Sequence, residues 1–456
     1  MENRLLALSA QVDGLVWGPV MMALLALAGI WLSVCARFPQ FRCFGKMLHV
    51  TLGSAFSGKK EDGALSPFQA VSTALAGTVG TGNIAGVAGA VTLGGPGAVF
   101  WMWFSALLGM ATKYAEVLLA VRYREKNEAG EWIGGPMYTI QNGLGKKFRP
   151  LAVLFSLFGM FAAFGIGNMA QVNTISGAAV ALSETLAPGA APAFHIKLLV
   201  GLFIAVAAAL VLLGGISRVG AVAEKLVPAM SLFYIAGAMA VIIQNASVLP
   251  KVLGSIFAGA FCPDAVLGGA AGIGIRQAVL LGVGRGVFSN EAGLGSAPIA
   301  HAATSETDPS RQALFGIFEV FADTIVICTL TALAILTSGI SIPYGQSSGA
   351  ELTITAFAST FGGRTAGIVI ALCIVFFAFA SILSWSVYGC RCAEFLFGPG
   401  VLTGYRLLFI VFIVIGAVCN LALVWNISNT LNGLMAVPNL IAVLALSGVV
   451  KRESKK

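Results

Sequence analysis

Apolar stretches of about 20 residues or more recur along this chain, each long enough to cross a bilayer as a helix. Residues 219–243, 365–395 and 427–449 are examples. A β-barrel is excluded, because barrel strands alternate apolar and polar residues and these stretches do not. Composition agrees. Of 456 residues, 58% are hydrophobic and 10% charged, against about 25% charged in a soluble domain. A soluble chain of this length, about three domains, needs far more polar surface. Mean hydropathy is +0.91. Glycine, with 56 residues, is abundant, as it is where membrane helices approach closely. The expected fold class is an all-α integral membrane protein with short loops.

The formal net charge of +8 does not signal a nucleic-acid partner. The basic residues sit in short loops, with no run interleaved with aromatics. Only three His occur, at 49, 195 and 301, which excludes a histidine-built metal site and an HExxH protease. Of eight Cys, only Cys262 falls in a loop assigned to the outside, so no disulfide framework is implied. The first helix is expected to be retained, since no basic region followed by a cleavage site opens the chain.

About eleven spans are expected, at 15–36, 67–93, 96–121, 150–186, 197–215, 219–243, 268–299, 312–338, 365–395, 403–424 and 427–449. The fourth is long, hence tilted or protruding. Stretches 42–57, 249–261 and 346–359 read as surface helices. Twenty of the 27 Lys and Arg, Lys59, Lys60 and Lys456 among them, fall on one side of this arrangement. Four (Arg4, Lys197, Lys251 and Arg364) fall on the other, and Lys113, Arg276 and Arg285 lie inside spans. The positive-inside rule puts the C-terminus in the cytoplasm and the N-terminus outside, in an inner (cytoplasmic) cell membrane.

Two spans carry glycine clusters at their middles. The second has Gly77, Gly80 and Gly82 and then Asn83; the seventh has Gly282, Gly284 and Gly286 and then Asn290. Such clusters weaken the helical ladder. The two spans are five apart, so they run in opposite directions, the signature of an inverted repeat with broken helices around a central site. An unwound segment at mid-membrane frees backbone groups that need partners. Half-helix N-termini suit a carboxylate and freed carbonyls suit a desolvated Na⁺. A free amino acid, anionic at one end and cationic at the other, fits such a site.

Several long motifs bear on this. They are Thr73–Val87, Gly94–Trp103, Gly109–Glu116, Gly134–Tyr138, Gly165–Gln171 and Gly284–Pro298. Together they resemble the alanine/glycine:cation symporter family, and the likeness runs from about residue 15 to 450. The resemblance implies a leucine-transporter-like fold of five plus five inverted helices with one extra helix, placed first. The divisions are then 1–62 for the extra helix and a cytoplasmic surface helix, 63–245 for the first repeat and 246–456 for the second. It also implies Na⁺-coupled symport of alanine, glycine or another small neutral amino acid across the lipid bilayer; a glutamine-preferring relative is a further alternative. A monomer is expected.

By resemblance, Thr78, Gly80, Thr81 and Gly82 hold the substrate carboxylate through N–H groups and hydroxyls, against the alternative of simple glycine packing. Asn83 coordinates the ion, caps the second half-helix, or does both. The carbonyls of Ala76 and Val79 point toward Ser381 and Ser384, one turn apart in the ninth span, and make an all-oxygen Na⁺ site. The alternative for each Ser is a bond to its own helix carbonyl. Gln171, with Asn168 expected on the same face, is a substrate contact or an interhelical bond. Phe288 and Trp385 are candidate pocket walls.

Glu116, Glu291, Glu319 and Asp323 lie inside spans. Glu319 and Asp323, four apart, share a helix face and suit a proton path or a second cation site; pairing with Arg276, Arg285 or Lys113 is slightly favoured. A proton-coupled permease of the same fold is the second reading. A channel needs a filter from several subunits, and no filter-like segment repeats. No span puts a His near a candidate nucleophilic Ser, and there is no Walker A motif, so no enzyme is expected.

Overall fold

The computed structural model describes residues 2–54, 64–186, 192–262, 274–419 and 422–455. Lys59, Lys60, Lys456 and the first six residues of the expected seventh span fall outside these.

The chain opens with α1 (Glu2–Val16) and α2 (Pro19–Cys35), which together make one span, Arg4–Cys35. It starts well before residue 15, the expected bound, which fell short because Arg4 and Asp13 interrupt the apolar run. After α3 (Phe44–Ser54) come α4 (Pro67–Thr78) and α5 (Ala85–Gly94), bent by 58° at a short break. Ser66 starts α4 with a reciprocal capping box to Gln69, and Pro67 fills the first helical position. Then follow α6 (Gly97–Arg122), α7 (Arg149–Phe164) and α8 (Ala170–Leu186). A π turn, Gly165–Met169, joins α7 to α8 in the middle of the long fourth span. Next are α9 (Ala193–Leu212), α10 (Gly215–Gln244) and the short α11 (Leu249–Phe261).

The second half has α12 (Ile275–Asn290), α13 (Ala297–Ala302) and α14 (Pro309–Val320). A π segment, Phe321–Cys328, leads into α15 (Thr329–Thr337). The chain finishes with α16 (Ala350–Phe361), α17 (Gly363–Phe397), α18 (Leu402–Val418), α19 (Ala422–Ala445) and α20 (Ser447–Glu453). Among the described residues nine helices are long and apolar enough to cross a membrane, ten with the bent pair α4–α5. The expected seventh span, 268–299, is the exception: its described part is a 16-residue helix, a turn and the start of a 6-residue helix.

That turn corrects the expected position of the second break. Gly282, Gly284 and Gly286 lie inside the continuous α12. A Cβ on Gly282 would sit 2.4 Å from the Ala98 carbonyl oxygen, and one on Gly286 2.2 Å from Ser105 Oγ. These two glycines let α12 press onto α6 as a small-xxx-small seam. The chain unwinds only after Asn290, where Glu291, Gly293 and Gly295 take φ of 53°, 94° and 82°.

Polar contacts tie the two halves at one end. Leu65 pairs with Thr304 as an isolated parallel bridge. Leu65 N–H donates to Ala303 O at 2.9 Å, and Ser305 N–H donates to Leu65 O at 2.7 Å. Arg124 donates to the carbonyls of Ala302, Thr304 and Glu306. The outer surface is apolar: Leu199, Phe203, Val206 and Leu210 form an exposed stripe along α9.

Candidate functional site

The first break is where the helical ladder fails. The Gly80 N–H, which would close the next helical bond on Ala76 O, donates instead to Asn83 Oδ1 at 2.9 Å. Asn83 N–H donates to Gly80 O, so Val79 O also lacks its helical donor. Both carbonyls named from the sequence are thus freed. Gly80 is extended, at φ −130°, and a 3₁₀ turn, Thr81–Asn83, begins the second half-helix. Its first N–H groups belong to Thr81 and Gly82.

A cavity of about 30 Å³ lies beside this break, room for about two waters. Thr78, Gly80, Thr81 and Gly82 line one side, and Gln171, Phe288, Ser381 and Trp385 line the others. All eight residues expected to contact substrate therefore meet in one place. Six further lining residues had not been singled out for it: Gly77, Ile166, Ser289, Glu291, Trp425 and Asn432. Asn432 was visible as an amide in an apolar span, one turn beyond Asn429. Its Oδ1 is buried with no hydrogen-bond partner in the described structure.

Each wall has a local cause. A Cβ on Gly80 would fall 2.9 Å from Ser381 Oγ, so only glycine brings this backbone against α17. Gly77 is similarly tight against Ser384 Oγ and the Tyr388 hydroxyl. The expected sodium ligands of α17 have their protons engaged: Ser381 Oγ donates to Phe377 O at 3.1 Å, and Ser384 Oγ to Thr73 O at 2.7 Å. Their oxygen lone pairs stay available to a cation. Gln171 donates to Ile166 O at 3.0 Å and accepts from Thr81 Oγ1 at 3.4 Å, which links α8 to the break. Asn168 does not share its face. Because it sits in the π turn, its amide turns away and donates to Phe409 O at 2.7 Å. A Cβ on Gly167 in the same turn would come within 2.2 Å of Trp385 Cβ, so the turn seats that indole.

The buried charges divide into two sets. Asp323 Oδ1 accepts from Asn83 Nδ2 at 2.7 Å and from Ser289 Oγ at 3.1 Å. Its Oδ2 accepts from Thr324 Oγ1 at 2.7 Å. Among the described residues it has no Lys, Arg or His within 4.0 Å. Glu319, by contrast, bonds Lys113 at 3.2 Å and His301 at 3.1 Å, and His301 also meets Gln312 at 2.9 Å. All four are fully buried. Arg276 is exposed at the start of α12, contrary to its expected place inside a span.

The second set clamps the second break. Lys113 Nζ donates to Glu291 O at 3.3 Å. Glu116 Oε1 accepts from Gly293 N–H at 3.1 Å and from Asn439, which also donates to Gly293 O at 2.9 Å. The Glu291 carboxylate accepts from Ser296. Side chains from α6 and α19 thus satisfy the backbone that the turn frees, as a membrane interior requires.

A small cavity lined by both polar and aromatic residues at a helix break, within a bundle of apolar helices, fits a secondary transporter of the leucine-transporter-like fold. Among solved structures, the chain is similar to MhsT in complex with L-phenylalanine, with a TM-score of 0.58 at 14% identity over 87% of this chain and 99% of that one. It is also similar to a Na⁺-coupled sialic acid symporter, with a TM-score of 0.52 at 14% identity over 97% and 95%. Residues 2–456 match the model of the sodium:alanine symporter family, and the chain belongs to that family. It is 44% identical to sodium/alanine symporter AgcS of Methanococcus maripaludis over 97% of this chain and 95% of that one. It is 37% identical to "Probable sodium/glutamine symporter GlnT" of Bacillus subtilis over 96% and 87%.

Proposed function

We propose that this chain carries a small neutral amino acid, alanine or glycine, into the cell together with Na⁺, through the cavity at the first break. The observation that carries this reading is the cavity's make-up. Freed backbone and hydroxyls line one side, the rings of Phe288, Trp385 and Trp425 another, and about 30 Å³ lies between. The carboxylate sits on the N–H groups and hydroxyls from Thr78 to Gly82, with Gln171 beside it. Na⁺ binds the freed carbonyls of Ala76 and Val79 with Ser381 and Ser384, and Asn83 holds the break in shape. Substrate and ion each complete the other's site, so each raises the other's affinity. The similarity to AgcS supports alanine and sodium, and the GlnT likeness makes glutamine the next substrate to try.

The two repeats are 63–245 and 246–456, rocking about this cavity to expose it to either side. The C-terminus is cytoplasmic and the N-terminus outside, as the Lys and Arg distribution supports.

A second reading rests on Asp323, a buried carboxylate that touches Asn83 and has no cationic partner among the described residues. In it Asp323 takes up a proton in place of the sodium. Uptake of labelled alanine into proteoliposomes separates the two. Concentrative uptake that needs an inward Na⁺ gradient and fails in choline is the expected result. Uptake that ignores Na⁺ and follows a pH gradient would replace sodium by protons. Transport of glycine or glutamine but not alanine would revise the substrate.

A further inference from the structure

Nearly every hydroxyl, amide and carboxyl side chain lining the central cavity is already engaged within the protein. Thr78 and Ser381 donate to carbonyls of their own helices, at 3.4 and 3.1 Å. Thr81 donates to Gln171, Gln171 to Ile166 O, and Ser289 to the Asp323 carboxylate. The Glu291 carboxylate accepts from Ser296. Asn432 is the exception. It lines the same cavity and is 1% exposed, yet among the described residues its Oδ1 meets no donor.

The rest of α19 holds Asn432 at this spot. The helix carries three other asparagines, and each donates to a distant partner. Asn426 donates to Ser9 Oγ at 3.1 Å, Asn429 to the Asp13 carboxylate at 2.8 Å, and Asn439 to Gly293 O at 2.9 Å. These bonds tie α19 to the N-terminal span on one side of Asn432 and to the second break on the other. A Cβ on Gly433 would sit 2.6 Å from Val16 Cγ1 and 2.9 Å from Trp17 Nε1, so the helix also presses on that span right beside Asn432. Its rotation is thus fixed, with Asn432 at the cavity. A buried amide oxygen without a donor is costly, above all in a membrane interior, and a ligand that brings a donor removes the cost. Charge says which part of an amino acid this is. A carboxylate repels an amide oxygen and is suited instead by the half-helix N–H groups of Thr81 and Gly82. An ammonium has three N–H donors and no lone pair, and it complements an oxygen acceptor.

We propose that Asn432 holds the substrate's ammonium through Oδ1, and so selects amino acids over acids of similar size that lack the amine. A neutral acceptor adds no charge to the cavity, which suits a substrate whose own charges cancel. The proposal rests on the amino-acid reading above.

The test is competition against labelled L-alanine in Na⁺, on the full chain in detergent, by unlabelled alanine, glutamine and propionate. Propionate is alanine without its amine. A hydrogen bond to a charged group is worth about ten- to a hundredfold in affinity. Asn432→Leu is expected to weaken alanine at least tenfold and propionate hardly at all. Asn432→Asp keeps the acceptor oxygen and is expected to retain most of the alanine affinity. Because the Asn432 side chain makes no hydrogen bond among the described residues, Asn432→Leu should not lower the melting temperature, which certifies folding. Equal losses for alanine and propionate would mark a role in shaping the cavity and overturn the proposal. Unchanged alanine with weakened glutamine would overturn it in favour of a contact to the substrate side chain. A loss in Asn432→Asp as large as in Asn432→Leu would overturn it in favour of a donor to the carboxylate. Unchanged affinities throughout would leave the transport reading standing without this contact. No displaceable alanine binding by the wild type would sink both readings together.

Discussion

Gly80 shows how much one missing methyl can decide. Its backbone lies so close to α17 that an added Cβ would meet Ser381 Oγ at 2.9 Å. Gly80→Ala should therefore push the break off α17 and shrink a cavity that is already small. The expected outcome is at least a tenfold weaker alanine affinity, read by equilibrium binding, with the fold retained. Gly177→Ala is the matched control, since nothing lies within 4 Å of the added carbon. Gly167 is the opposite case. Its Cβ would overlap the Trp385 side chain at 2.2 Å, with no flexible end to give way. Overpacking of this kind costs about 1–3 kcal/mol, so Gly167→Ala should lower the melting temperature by several degrees.

At the scale of elements, the two breaks differ in how their freed backbone is satisfied. The first leaves the Ala76 and Val79 carbonyls without their helical donors, next to residues that line a cavity. The second is filled by Lys113, Glu116 and Asn439, so it acts as a fixed corner. Lys113→Met should destabilise that corner sharply, because it leaves the Glu319 carboxylate buried with only His301 beside it. Removing one partner of a buried pair costs about 3–5 kcal/mol, and a melting curve would show it. The same contrast explains what could be read from the chain alone. Gly77, Gly80 and Gly82 with Asn83 form a pattern that stands out, and the structure has a break there. Gly282, Gly284 and Gly286 look alike in sequence, yet two of them serve contact with α6. Composition cannot distinguish a glycine that unwinds from one that packs, since the difference lies in the neighbouring helix. The residue that turns the chain, Glu291, carries no signal for a positive φ. Asn168 failed for a related reason: helical spacing places it with Gln171, and a single π turn rotates it away. Asp323 and Glu319 share a helix face in sequence, but an adjoining π segment and different neighbours give them separate partners. The lining residues Trp425 and Asn432 were missed because they come from the far end of the chain.

For the molecule as a whole, ligand binding and stability are one equilibrium. If Na⁺ and alanine complete each other's sites, either one alone should stabilise the protein modestly. Together they should do so by more than the sum. A ligand at a hundred times its Kd contributes about 2.7 kcal/mol, large enough to see in a thermal melt. The measurement is the melting temperature in detergent with Na⁺ or choline, each with and without alanine. Strictly additive shifts would count against shared coordination.

The stitch between Leu65 and Thr304 carries a kinetic consequence. Two backbone hydrogen bonds, Leu65 N–H to Ala303 O and Ser305 N–H to Leu65 O, join the start of the first broken helix to the segment after the second. The two segments cannot part at that face while both bonds hold. Those two amides are thus a built-in clock: each opening toward that face exposes them to solvent deuterium. Their exchange should quicken when turnover begins and slow when a bound ligand holds the carrier shut, while amides deep in α6 keep an unchanged pace.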